Sequence, residues 1–213
     1  MKKHATILMM AFTLSAGLHG TALGAGEPYL GAAYGLTTYD DGDLFTSQQD
    51  LPAYQGADLD AGGELWQIFG GYRFLRYLSV EGRYSNFGDY TAELSAQEAP
   101  VTDEAGDEIT TELSSLTLHC VGILPIGGSG FDLYGQIGWG VIFYQASFDV
   151  VEGDASTLSS GLGLRYTPPG IQTMTLQLAY DIYAFEVEAG KGVTGDTFDQ
   201  RLGMGKFGIQ YNF

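Results

Sequence analysis

The chain has 213 residues, with 26 Asp and Glu against 9 Lys and Arg, and a formal net charge of −17. A balance of that sign excludes a nucleic-acid binder whose affinity rests on neutralising phosphates, because such proteins cluster Lys and Arg. With 14 Tyr and 12 Phe it is not a disordered acidic chain, and its single Cys excludes an internal disulfide and a cysteine-based zinc site.

Residues 1–25 read as a secretory signal peptide. Lys2 and Lys3 form a charged start, Ile7 to Leu14 a short apolar run, and Thr21-Ala22-Leu23-Gly24-Ala25 a small-residue cleavage site. The run is too short to span a bilayer as a helix. Cleavage after Gly24 or Ala25 leaves residues 26–213 as one domain and, by removing both lysines, takes the charge to −19. Beyond it no stretch reaches 18 consecutive apolar residues, so a multi-helix membrane protein is excluded.

What recurs instead is a period of two, in segments of about ten residues separated by turn signals. Leu30, Ala32, Tyr34 and Leu36 mark a first strand, followed by an acidic loop from Tyr39 to Gly63. Trp66 to Arg73 and Leu78 to Ser85 form two strands joined at Leu75-Arg76, and a second acidic loop runs from Ala92 to Ile109. Ser114 to Leu124 is the fourth strand, ended by the turn Pro125-Ile126-Gly127-Gly128-Ser129-Gly130, where Gly and Pro supply the angles of a reversal. Leu133 to Tyr144, Leu158 to Tyr166, Met174 to Tyr183 and Arg201 to Phe213 complete eight strands. Acidic connections at Asp149 to Ala155 and Glu186 to Phe198 and the turn Thr167-Pro168-Pro169-Gly170 separate them.

Long connections alternate with short turns, as the two rims of a closed antiparallel meander require. An even strand number lets the first and last strands pair and leaves no edge. The fold class is therefore all-β, an eight-stranded antiparallel up-and-down transmembrane β-barrel behind an N-terminal signal peptide. One face is apolar, with Tyr72, Tyr84, Tyr166, Tyr180 and Tyr211 as an aromatic girdle near strand ends. The opposite face carries Gln67, Arg73, Glu81, Arg83, His119, Gln136, Arg165, Gln177, Asp181, Lys206 and Gln210, and predicts a polar lumen. A soluble ligand-carrying barrel would reverse the faces.

The run Phe69 to Tyr84, the strand Gly161-Leu162-Gly163-Leu164-Arg165-Tyr166 and the end Tyr211-Asn212-Phe213 resemble the small outer-membrane β-barrel family that includes the OmpA membrane domain and OmpX. The resemblance covers the whole mature chain. It implies the bacterial outer membrane as location, outer-membrane lipid and lipopolysaccharide as surroundings, and an aromatic terminus, Tyr211 and Phe213, read by the barrel-assembly machinery. No peptidoglycan-binding domain is expected after Phe213, so the cell-wall tethering role is not carried over.

An eight-stranded barrel is just wide enough for side chains to fill, so the inward charges predict a buried polar plug. The competing expectation is a narrow, porin-like channel for small solutes. Four cations (Arg73, Arg83, Arg165, Lys206) against two carboxylates (Glu81, Asp181) would favour anions there, and rearranged pairs would open it. Catalysis needs a nucleophile, a base and an orienting group. Beyond the signal only His119 remains, pointing inward while Cys120 points outward, and Val121 stands where the lipid A deacylases have the Ser of a His-x-Ser arrangement. The chain is thus read as non-enzymatic and without a cofactor. Asp40, Asp41 and Asp43 are candidates for a divalent cation, as are the acidic residues from Asp103 to Glu108; neither run has the twelve-residue calcium-loop spacing. The expected role is structural or surface-interacting, through acidic extracellular loops and an extracellular ligand.

Overall fold

The structure, a computed structural model, describes residues 26–40, 58–59, 63–93, 109–146, 152–188 and 197–213. The expected signal segment and the candidate cation ligands Asp41, Asp43 and those of 103–108 lie outside them. The strands are β1 (Glu27–Asp40), β2 (Asp58–Leu59), β3 (Glu64–Leu75), β4 (Leu78–Glu93), β5 (Ile109–Pro125), β6 (Phe131–Ala146), β7 (Glu152–Tyr166), β8 (Met174–Glu188) and β9 (Thr197–Asn212). Every pairing is antiparallel. β3 to β9 pair in chain order, β1 pairs with both β3 and β9, and the sheet is closed with eight strands in its wall. The two-residue β2 adds to the loop end of β4, opposite Ala92 and Glu93. Closure leaves the wall without an open edge strand, which a sheet in hydrocarbon cannot tolerate.

The short turns fall where glycine and proline permit them. Between β5 and β6 the Ile126 N–H donates to Phe131 O at 2.8 Å, and Gly130, at φ 80°, takes the left-handed conformation that side chains resist. The β3–β4 link is just Arg76 and Tyr77.

The strands outrun the expected ones at the long-loop end. Asp40, Asp58, Ala92–Glu93, Glu152–Ala155, Glu186–Glu188 and Thr197–Phe198, all expected in loops, are strand residues. Ladder pairing requires only a neighbouring strand, whereas acidic composition speaks only of water. About ten tilted residues cross a bilayer, so strands of 12 to 17 residues project beyond it, and their outward Glu64, Glu112, Asp154 and Glu186 are exposed there. A second consequence concerns the girdle. Tyr72, Tyr166 and Tyr211 lie at the short-turn ends, but Tyr84 and Tyr180 lie well inside β4 and β8.

Leu118, Trp139, Leu162, Leu178 and Phe207 are exposed on the outside, where their strand neighbours point in. The inside departs from the polar lumen expected. Towards the long-loop end it is filled by an apolar cluster of Leu65, Phe87, Leu113, Ile142, Tyr183, Phe185, Leu202 and Met204. Two smaller clusters, Val121, Ile123, Tyr134 and Ala179, and Tyr29, Ala33 and Phe69, lie nearer the short turns. The lumen is therefore layered, with polar groups held between apolar ones.

Candidate functional site: a charged network in the barrel lumen

Inward parity brings side chains from seven strands into one network. Glu81 and Arg83 are two apart on β4 and so share the inward face, where the Arg83 Nε donates to Glu81. Across the lumen, Arg83 Nη1 donates to Asp181 Oδ2 on β8 at 3.0 Å, and its Nη2 donates to Gln136 on β6. Gln136 Nε2 in turn donates to Asp181 Oδ1 at 2.7 Å. Lys206 on β9 places its Nζ 2.6 Å from Asp181 Oδ2 and 2.7 Å from Gln67 Oε1, and Gln67 Nε2 donates to Ser85 Oγ at 2.7 Å. Asp181 thus accepts from three donors, all in a site closed to solvent. Gly161 makes room for it: a Cβ there would overlap the Asp181 carboxylate and lie 2.9 Å from Gln136 Nε2.

Glu81 is shared as well. Its Oε2 accepts from Arg165 Nη2 at 3.2 Å and from the Tyr29 hydroxyl at 2.9 Å. Three buried cations, Arg83, Arg165 and Lys206, face two buried carboxylates, leaving one positive charge in a low-dielectric space. Aromatic faces supply what the carboxylates do not: the Arg165 guanidinium carbon lies 4.3 Å from the Tyr134 ring centre and 5.7 Å from that of Tyr29.

The remaining site residues stand apart. Arg73 is at the short-turn mouth, where its Nη2 donates to Arg76 O at 2.8 Å and lies 3.9 Å from Asp132 Oδ2. Gln177 is buried with its Oε1 unpartnered among the described residues. His119 is buried with its Nε2 2.8 Å from Thr117 Oγ1 and 3.3 Å from Ser159 Oγ. Its Nδ1 has no partner among the described residues, so no carboxylate orients the ring. Cys120 is exposed on the outer face. Asp40 is paired in register with Arg201 across β1 and β9. Tyr211 and Phe213 are exposed outward and meet edge to face, 5.0 Å between ring centres. Among the described residues no group of three His, Cys, Asp or Glu could hold a metal ion.

Sequence reasoning missed Tyr29, Tyr134, Asp132 and Ser159. Each lies on the inward parity of its strand, so alternation alone marks them as inward. Their pairing with Glu81, Arg165, Arg73 and His119 depends on register between strands, which parity within one strand does not reveal.

Compared with known proteins, the family model of the outer membrane protein β-barrel domain matches residues 5–213. No curated protein sequence matches the chain. Among solved structures, neisserial surface protein A superposes with a TM-score of 0.57 at 16% identity, over 87% of this chain and 97% of that one. OprG of Pseudomonas aeruginosa gives 0.53 at 15% identity, over 89% and 96%. Ail, the attachment invasion locus protein of Yersinia pestis, solved with the heparin analogue sucrose octasulfate, gives 0.51 at 16% identity, over 88% and 99%. At such identities the likeness establishes the fold.

Proposed function

Because the chain belongs to the outer membrane protein β-barrel domain family and is located in the bacterial outer membrane, we propose that it acts there as a non-enzymatic scaffold with a closed lumen, whose acidic loops make its contacts at the cell surface. The observation that carries this reading is the filling of the lumen. Leu65, Phe87, Ile142, Leu202 and Met204 are fully buried on the loop side of the ion-paired layer. A solute would have to displace both that apolar packing and an Asp181 carboxylate held by three donors.

The same burial supports the non-enzymatic reading. His119 and Ser159 are within 3.3 Å, but both are closed off inside the wall, where no lipid acyl chain reaches them. Delivery by a signal peptide of residues 1–25, and recognition of Tyr211 and Phe213 by the assembly machinery, belong to the same proposal. The loop segments 41–57 and 94–108 contain no Lys or Arg, while each contains several carboxylates. A sulfated polyanion of the kind seen with Ail would be repelled by them, so the surface partner proposed for this chain is cationic.

Single-channel recording tests the scaffold reading against the channel. Mature protein, shown to be folded by the mobility difference between heated and unheated samples, is expected to give no discrete conductance in a planar bilayer. Salt-dependent openings would overturn the closed lumen and transfer the function to solute passage.

A further inference from the structure

The charged residues at the short-turn mouth are arranged differently from those of the buried layer. Glu27 lies directly opposite Arg73 in the β1–β3 ladder, and Asp132 directly opposite Arg165 in the β6–β7 ladder. Opposite charges in such positions on one face ordinarily meet. Here neither pair closes. Arg165 turns deeper into the barrel to Glu81, at 3.2 Å. The one carboxylate that Arg73 reaches among the described residues is Asp132, at 3.9 Å, its Nη2 also donating to Arg76 O at 2.8 Å, and Glu27 makes no ion pair or side-chain hydrogen bond with any described residue.

Between these groups is a recess of about 380 Å³, lined by all four of them together with Tyr29 and Gln210, whose Oε1 is buried and has no partner among the described residues. A second hollow of about 440 Å³ shares Glu27, Arg73 and Asp132 with it. Two guanidiniums and two carboxylates thus surround a space of the size that takes small ligands. A simple anion placed there would face Glu27 and Asp132, and a simple cation would face Arg73 and Arg165. A molecule with both signs of charge satisfies both pairs at once.

We propose that the short-turn mouth of the barrel is a binding site for a small zwitterion bearing a carboxylate and an ammonium group. Arg73 and Arg165 take the carboxylate and Glu27 and Asp132 take the ammonium. Short turns of outer-membrane barrels face the periplasm, so the ligand is a free amino acid or a short peptide of that compartment. The site ends at the Arg165 and Tyr29 floor and is independent of whether the lumen conducts.

The test is a nuclear magnetic resonance titration of the folded, isotope-labelled protein in micelles, following the amides of Gly128, Gly130 and Thr167. L-alanyl-L-alanine or L-alanine is expected to give saturable shifts. N-acetyl-L-alanine, which lacks the ammonium, and L-alaninamide, which lacks the carboxylate, should bind at least about tenfold more weakly. Equal binding of alanine and the dipeptide assigns the site to amino acids, and binding of the dipeptide alone assigns it to peptides. Glu27→Gln and Asp132→Asn should each weaken binding about tenfold. Neither residue belongs to the buried network, and heat-modifiable mobility checks that the variants fold. Absence of saturation with every probe, N-acetyl-L-alanine binding as tightly as the dipeptide, or undiminished affinity in both folded variants would overturn the proposal.

Discussion

Asp181 and Arg73 show how differently two charges of one barrel contribute. Asp181 accepts from Arg83, Gln136 and Lys206 in a fully closed site, so removing its carboxylate leaves Lys206 without a counter-charge and Arg83 with only the Glu81 carboxylate that Arg165 shares. Asp181→Ala is therefore expected to lower unfolding stability by about 3–5 kcal/mol. Arg73 is partly solvated and 3.9 Å from its partner, and Arg73→Ala should cost less than about 1 kcal/mol. Urea unfolding in micelles, read by tryptophan emission, separates the two; equal losses would show that the buried layer is no more tightly coupled than the mouth. His119 sits against Thr117 and Ser159, and no described residue partners its Nδ1. His119→Ala is accordingly expected to leave the lipid A of cells carrying the protein unchanged in its mass spectrum. A change seen with the natural protein and lost in the variant would establish catalysis.

Alternation within each strand sets what the wall meets, lipid outside and a packed lumen inside. Leu118 lies mid-way along β5 with its side chain exposed, flanked by the buried Thr117 and His119. Leu118→Arg is expected to destabilise the barrel by about 2–4 kcal/mol, the cost of a cation facing hydrocarbon. Glu112, on the same outward parity but beyond the apolar stretch, should accept Glu112→Arg with little loss in the same assay. A similar cost at both positions would place hydrocarbon along the whole strand. The strand tips were the part least legible beforehand. Glu152 to Ala155 read as loop because their composition is polar, yet the ladder with β6 continues through Gln145 and Glu152.

For the whole molecule, the imbalance of charge governs what can approach. Net charge −17, concentrated in loop segments without compensating Lys or Arg, opposes anionic partners at a distance and attracts cationic ones. The refolded protein in neutral-lipid bilayers is expected to show no binding to immobilised heparin at physiological salt. It should bind polylysine with an affinity that falls as salt is raised. Heparin retention would contradict the cationic-partner reading and return the loops to polyanion recognition.

By itself the sequence determined the class, the strand count, the alternation of long loops with short turns, and which residues point inward. These follow from periodicity two and from turn chemistry, both local properties of the chain. It also pointed to Arg83, Glu81, Arg165, Asp181 and Lys206 as one inward set, because charges on the inner face of a narrow barrel have only one another for partners. Tertiary structure alone decided the rest. Register placed Arg83 against Asp181, 98 positions away, and left Arg73 at the mouth with Asp132. It gathered Leu65, Phe87, Ile142, Leu202 and Met204, one or two from each of several strands, into a cluster that no single strand displays. Closure of the sheet sets which strand faces which across the lumen, and a pattern read along one strand contains no information about the residue opposite.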